Sequence, residues 1–310
     1  VDVEVTVVGD VNPDLLYAVD HLPEQGKQVI ARELHVKLGG SAANVAVALA
    51  RLGVRTRFYG AVGNDVLGKF CRHELRAAGV DPVLTTVTAA TGATSAMETP
   101  GERTMVSFRG ANEFLDTTHV DPAGQWIHIS GYWHLTTLRP KIGELLRISK
   151  EKGLITSVDM GSWSDDWSEA KYLRNAVLAG SVDFLLMDEQ ELARLMDKPT
   201  EEAIEIARAH ACIGLHQGRN GATILCRGLE HHTPAWENIE VNVTTGAGDT
   251  WNAGFIWGYL RTNDVSRASD IGMAVVEFYV ERGYPPTVHE LKRFVREKMG
   301  SDAVEYLVPR

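Results

Sequence analysis

The residues best placed to do chemistry lie together in Val243-Thr244-Thr245-Gly246-Ala247-Gly248-Asp249-Thr250-Trp251-Asn252-Ala253-Gly254. The residue types read as strand, glycine turn and helix start, with the helix running from Gly248 to about Leu260. Gly246 and Gly248 let the backbone turn tightly and come close to a ligand. The amides opening the helix are unpaired donors at the positive end of its dipole, which makes them an anion site. Asp249 puts a carboxylate in that same turn, where it opposes the anion its surroundings attract. Phosphoryl transfer to an alcohol reconciles the two. The amides hold charge on the phosphate oxygens, and Asp249 accepts the proton of the attacking hydroxyl. The low pKa expected of Asp249 is no obstacle, because a loose transition state lets the proton leave late. Two other readings of these residues stay open. Asp249 could be an ordinary acid at a helix start, or the loop could be a dinucleotide motif, which Trp251 in its sixth position and its place late in the chain disfavour.

Other candidates are scattered along the chain. Asn12-Pro13-Asp14 follows a β-branched run, at the strand end where open α/β sheets bind ligands, so Asp14 is a candidate for holding polyol hydroxyls. The plainer reading, and the preferred one, is a turn around Pro13. Gly39 and Gly40 permit close backbone approach, and Asn44 can present an amide one turn into the next helix. Arg109, beside a glycine turn, can reach an anionic group or simply be solvated. Asp188 and Glu191 have the spacing of a helix capping box, the preferred reading. The alternative is that Glu191, with Asp188, organises water around Mg²⁺, which takes only one or two carboxylates.

The elements that must position these residues are those of an α/β protein. Glu4–Gly9 reads as a central strand. Leu15–Lys37 reads as two short strands, with no helix between them. Ser41 is the expected N-cap of a small-residue helix, Ala42–Leu52, closed by Gly53. Thr56–Val62 is a strand, and Asp65 caps a helix over Val66–Ala78. Thr91–Thr99 and Arg103–Phe108 form a hairpin around Pro100-Gly101-Glu102, a second helix-less insertion able to join the first in one small sheet. From Trp126 the chain alternates. Strands fall at Trp126–Ser130, Ile155–Asp159 and Phe184–Met187, and helices at Pro140–Lys152, Ala170–Ala179 and Glu201–Ala211. Strand, turn and strand follow over Cys212–Cys226, then a strand Glu240–Thr244. Helices close the chain at Val265–Glu281 and Val288–Met299. The residues after Gly300 suggest nothing definite.

Composition sets the limits. The chain has 310 residues, 44% hydrophobic and 23% charged, with net charge −10. That is ordinary globular material, and its acidity argues against a nucleic-acid surface. Cys71, Cys212 and Cys226 are an odd count without C-x-x-C spacing, so they read as small buried hydrophobes in a reducing compartment, without a zinc site. Val1-Asp2-Val3-Glu4 lacks a basic, apolar leader, and no apolar run approaches the ~20 residues of a membrane span. A cytoplasmic location is therefore expected.

Two motifs in order carry a resemblance over nearly the whole chain. One is Gly39-Gly40-Ser41-Ala42-Ala43-Asn44-Val45-Ala46 with Leu52-Gly53 and Gly60-Ala61-Val62-Gly63-Asn64-Asp65-Val66-Leu67-Gly68. The other is Thr244–Phe255. Together they resemble the ribokinase-like, PfkB family of sugar and nucleoside kinases. The resemblance implies one kinase domain over residues 1–310: a three-layer αβα sandwich on a mostly parallel sheet, with a small β lid from about 15–37 and 93–109. It implies ATP-dependent phosphorylation of a primary hydroxyl, with Mg²⁺. Asp249 would be the base, with Gly246, Ala247 and Gly248 shaping an anion hole from the amides of Ala247, Gly248 and Asp249. Asp14, Gly39, Gly40 and Asn44 would hold the acceptor. Asp188, Thr245, His216, Gly218, Gly221 and Val276 would border the nucleotide, and Glu191 the metal. Three positions depart from the family pattern. Val243 stands where an aspartate often helps bind a monovalent cation, which makes potassium activation doubtful. Asp188 replaces the usual Asn, and His216-Gln217-Gly218-Arg219 replaces Lys-x-Gly, so nucleotide preference is open. The lid segments offer only Tyr17 and Phe108 to stack on a base, which favours a free sugar or sugar acid over a nucleoside. A non-catalytic sugar or nucleotide sensor is a further alternative. Exposed lid edges suggest a homodimer through the lid.

Overall fold

The β-branched run at the start forms β1 (Val5–Gly9), buried throughout. Val5 and Val7 face one core and Val8 the other, as a parallel strand covered on both faces requires. A computed structural model describes residues 3–99, 102–161 and 164–309. After β1 come β2 (Asn12–Ala18), β3 (Glu33–Gly39), α1 (Ser41–Arg51), β4 (Thr56–Gly63), α2 (Val66–Ala77) and β5 (Asp81–Val87). The chain continues through β6 (Ala93–Thr99), β7 (Glu102–Phe108), β8 (Trp126–Ser130), α3 (Ile142–Glu151), β9 (Ile155–Val158), α4 (Lys171–Leu178) and β10 (Phe184–Asp188). Then follow α5 (Glu189–Met196), α6 (Thr200–Arg208), β11 (Cys212–His216), β12 (Ala222–Cys226) and β13 (Leu229–Thr233). Four helices end it: α7 (Ala247–Thr262), α8 (Val265–Arg282), α9 (Val288–Met299) and α10 (Ser301–Leu307).

The nine-stranded sheet has the order β13-β12-β11-β10-β9-β8-β1-β4-β5. It is parallel except at the β11–β12 and β12–β13 pairs. One core gathers α1, α7, α8 and α9 on one face, and the other packs α3 to α6 on the opposite face. Strand β10 shows the division, with Phe184 and Leu186 in the first core and Leu185 and Met187 in the second. The sheet's helix-covered faces make the expected three-layer sandwich. Among the described residues no helix is long and apolar enough to cross a membrane.

A separate four-stranded sheet, β3-β2-β6-β7, joins the two helix-less insertions. Its β2–β6 pair is parallel, and the β2–β3 and β6–β7 pairs are antiparallel. Pro100 and Gly101, at the tip of the expected hairpin, lie outside the described residues.

Several local expectations are corrected. Asn12-Pro13-Asp14 is not a turn: it opens β2, with Asn12 registered on Gly39 and Asp14 on Lys37. Pro13 is tolerated at this second strand position, near the start of β2. Ser41 does not cap α1, because its hydroxyl donates to Gly161 O instead. Residues 241–244 form no strand before the glycine loop. Their amides are taken by α8, Asn242 N and Val243 N both donating to Val280 O. Pro140 lies in a 3₁₀ turn ahead of α3. Strands β5 and β13 and helix α10 have no counterpart in the sequence reading, since Asp81–Val87 and Leu229–Thr233 mix polar and apolar residues at the sheet's two edges. Cys212 and Cys226 are joined by a disulfide across β11 and β12, Cα–Cα 4.4 Å, which overturns the reading of three free thiols. Cys71 stays a buried free thiol, pushed up to about 12 by burial.

Candidate functional site

The glycine loop turns at Gly246, whose φ of 78° is left-handed, a conformation glycine adopts without steric cost. Helix α7 starts immediately after it. Ala247 N donates to Thr244 O at 3.2 Å, so that amide is engaged, and Thr250 N returns to Gly246 O. The amides of Gly248 and Asp249 have no backbone acceptor among the described residues. Of the three amides expected to form an anion hole, Ala247 N is taken and those of Gly248 and Asp249 are open. They open on a cavity of about 570 Å³ between the carboxyl end of the large sheet and the small sheet.

Asp249 lines this cavity at 8% exposure. Asn44, one turn into α1, donates its Nδ2 to Asp249 Oδ2 at 2.9 Å. Burial, with Asp10 and Glu191 nearby, pushes Asp249 up to about 7, although the Asn44 bond favours the charged form. This corrects the expectation of a low pKa and suits a base working near neutrality.

Behind Asp249 runs a buried polar chain. Asn252, fully buried and three residues further along α7, donates Nδ2 to Asp159 Oδ2 at 2.6 Å. Its Oδ1 therefore accepts from His216 Nε2 at 2.9 Å. Burial lowers the His216 pKa, so the ring is neutral at pH 7, with Nε2 as its donor and Nδ1 as its acceptor. A Cβ at position 248 would lie 3.2 Å from His216 Nδ1, so the ring packs against Gly248. Asp159, at the end of β9, also accepts from Gly161 N at 3.0 Å, and burial and Glu191 raise its pKa.

The opposite wall belongs to the small sheet. Asp14 accepts from Asn12 Nδ2 at 2.8 Å and is pushed up to about 6 by burial and by Asp10. Asp10, just past β1, accepts from Ala42 N and pairs with His134 Nδ1, both at 3.0 Å. On β7 every second residue, Arg103, Met105 and Ser107, faces the cavity, as period-two alternation requires, and Arg109, just past the strand, lines it too. Arg103 crosses to the glycine loop and donates to Thr245 Oγ1. No Phe, Tyr or Trp lines the cavity among the described residues.

Comparison with known proteins agrees with this geometry. The pfkB family carbohydrate kinase pattern matches residues 3–287. The chain belongs to that family. It is 31% identical over 283 residues to an ATP-dependent ribose-1-phosphate kinase of Halopiger xanaduensis, covering 88% of this chain and 90% of that protein. A fructokinase of Klebsiella pneumoniae is 31% identical over 255 residues, 76% of this chain and 82% of that one. A structure of Arabidopsis thaliana ribokinase complexed with ribose and ATP superposes with a TM-score of 0.78 at 20% identity, over 96% of this chain and 99% of that one. The protein is thus a sugar kinase of the PfkB family.

In this kinase the cavity unites Asp249, Gly246, Ala247, Gly248, Asp14, Gly40, Asn44, Arg109, Thr245, His216 and Glu191. Gly39 is not on its wall. It lies beneath Asp14, whose carboxylate fills the space of a Cβ, 2.3 Å away. Asp188, Gly218, Gly221 and Val276 do not line the cavity either. Asp188 is occupied as the N-cap of α5 in a complete capping box with Glu191, so the structural reading of that pair holds. Glu191 still reaches the cavity, and burial, with Asp188 beside it, pushes it up to about 7. The sequence reading passed over Asp10, Arg103, His134, Asp159 and Asn252. Asp10 and Asp159 are carboxylates at strand ends, a usable signal. Asn252 follows Asp249 at i+3, on the same helix face. His134, in a 3₁₀ turn after β8, carries no such signal.

Proposed function

We propose that this kinase transfers a phosphoryl group from ATP to the primary hydroxyl of a small sugar or sugar acid, with Asp249 as the base. The observation that carries this reading is a buried carboxyl, near-neutral in pKa, placed beside the two open amides of Gly248 and Asp249 in one cavity. The hydroxyl donates its proton to Asp249 while the amides hold the charge on the transferring group. Asn44 orients the carboxylate, and Asp14 and Asn12 accept and donate toward the acceptor's other hydroxyls. That no Phe, Tyr or Trp among the described residues lines the cavity supports a sugar over a nucleoside. The whole chain works as one kinase domain, with the small sheet as its lid.

The donor set suits magnesium. Asp159 and Glu191 are buried acids that accept hydrogen bonds but have no cationic partner among the described residues. Among the described residues no three ligand side chains converge, which fits an ion held mainly by water and one or two carboxylates. When bound with ATP, the metal neutralises triphosphate charge. His216, Thr245 and the glycine loop border that end of the cavity. Val243 offers no carboxylate to a monovalent cation. The lid's outer face carries Leu34, Val36, Val106 and Phe108, each about half exposed or more, and supports a homodimer through this sheet, testable by sedimentation.

The deciding experiment is acceptor-dependent ADP release across a panel of sugars, sugar acids, sugar phosphates and nucleosides. Turnover with a small sugar-based acceptor is expected and should be abolished by Asp249→Asn. Unchanged turnover in that variant would remove the mechanism.

A further inference from the structure

The cavity wall formed by β7 and the turn after it holds two guanidinium groups with different surroundings. Arg103 is engaged: it donates to Thr245 Oγ1, and Glu98 Oε1 stands 3.7 Å from its Nε. Arg109 is half-buried and makes no hydrogen bond or ion pair among the described residues. Nearby Arg139, by contrast, is tied to Glu169 at 2.6 Å and to Trp133 O at 2.8 Å. An unpartnered guanidinium lining a polar cavity has five donors to offer a ligand. Arg109 also borders a second cavity of about 400 Å³, with Trp133, Arg139, Asp165, Asp166 and Glu169.

Its position fixes which part of a ligand it meets. Arg103, near the start of β7, touches the glycine loop, whereas Arg109 lies just past the strand's other end, at the start of a 3₁₀ turn. Between them the register places Asp14 beside Thr94, and Thr94 beside Ser107. That row offers a carboxylate and two hydroxyls to a polyol. The next cavity-facing residue, away from the loop, is Arg109. In the shared cavity Asp10 has both oxygens engaged, one by Ala42 N and one by His134. On the second cavity's side Glu169 is paired with Arg139 and Asp166 accepts from Ser168, and none of these acids forms an ion pair with Arg109.

Building on the kinase reading, we infer that the acceptor is an anionic sugar, phosphorylated or carboxylated, whose charged group is held by Arg109 at the end of the cavity away from the glycine loop. A neutral sugar would fill the Asp14–Thr94–Ser107 row and leave Arg109 unpaired. A planar guanidinium matches either a carboxylate or a phosphate with two parallel bonds.

The test measures kcat/KM of the full chain for three matched acceptors: a pentose, its 1-phosphate and the corresponding pentonic acid. Wild type should favour one anionic acceptor over the neutral pentose by about 10- to 100-fold, the worth of a charge-assisted bidentate contact. Whichever anion is favoured assigns the group as phosphate or carboxylate. Arg109→Ala should collapse that ratio to within about threefold, and Arg109→Lys should keep part of it. The ratio is taken within one preparation, so a partly unfolded variant does not distort it. A neutral pentose used as well as both anions, or a ratio unmoved by Arg109→Ala, overturns the inference while leaving the kinase reading intact. Absence of turnover with every acceptor would overturn both.

Discussion

Replacing Asp249 by Asn should make the protein more stable as it makes it inactive, and the gain should depend on pH. Burial lifts the folded-state pKa of Asp249 from 3.8 to about 7. Between those values the folded protein holds a proton that the unfolded chain has released, so stability falls as pH rises. The loss stops growing once the folded group is itself ionised, above about pH 7. The full shift is worth about 4 kcal/mol at 1.36 kcal/mol per unit. For a chain of this length, unfolding entropy near 2.1 cal/mol/K per residue converts that to about 6 °C in Tm. Some two-thirds of it, about 4 °C, develops above pH 5. An asparagine keeps an oxygen for the Asn44 Nδ2 bond but carries no charge to desolvate. Its new N–H₂ adds a pH-independent offset of either sign, so the informative quantity is the change in ΔTm. Scanning calorimetry of both proteins without ligands, from pH 5 to pH 8.5, should show ΔTm (Asn minus Asp) widening by about 4 °C and flattening above pH 7.5. A difference constant across that range would refute the reasoning, because it would mean that Asp249 ionises at its ordinary pKa and that the cavity floor is as wet as bulk water.

Three further outcomes follow from the same geometry. The kcat/KM for the acceptor should rise about tenfold per pH unit below pH 7 and level off above it, as the base of the free enzyme ionises; a flat profile from pH 5.5 to 8 counts against Asp249. Asn44→Leu removes the hydrogen bond that favours the ionised carboxylate, so the midpoint of that profile should move up by about one unit; a downward shift is inconsistent with the observed contact. Gly246→Ala forces a side chain into a left-handed turn at φ 78°, at a cost of about 1–2 kcal/mol. Calorimetry should show Tm lower by about 2–3 °C, and kcat should fall at least about tenfold as the two open amides shift.

What could be read in the sequence was what local pattern encodes. The glycine loop, the small-residue helix with Asn44, the capping spacing of Asp188 and Glu191 and the two helix-less insertions all declare themselves within a dozen residues. The errors arose where distant contacts override local preference. Asn12-Pro13-Asp14 has turn chemistry, yet β3 and β6 on either side draw it into a strand. Ser41 is a good cap by type, but Gly161 O, 120 residues away, takes its hydroxyl. Residues 241–244 have β-formers, but the end of α8 claims their amides. The pKa of Asp249 departs from local expectation for the same reason: Asn44 of α1 bonds it, His216 of β11 packs against the neighbouring Gly248, and the small sheet walls the same cavity, none of them near it in sequence.

The charges of the cavity explain why those distant groups matter. Among the described residues five carboxyls line it, from Asp10, Asp14, Asp159, Glu191 and Asp249, against Arg103 and Arg109. A triphosphate entering so acidic a space would be repelled if all five were ionised and bare. They are not equivalent. Asp10 is answered by His134 and the amide of Ala42. Asp14, Glu191 and Asp249 sit with pKa values near 6 to 7, so before ligands bind they share protons rather than full charges. On the proposed reading each would gain a distinct cation or donor in the working complex: a metal ion at Glu191 and Asp159, the acceptor's hydroxyls at Asp14, and the reacting hydroxyl at Asp249. Ligand binding should therefore change the number of protons held at pH 7. Calorimetric titration of acceptor in two buffers of different ionisation enthalpy should give unequal apparent enthalpies; equal values would mean that these carboxyls are already fully charged in the free enzyme, and that their burial does not govern the site.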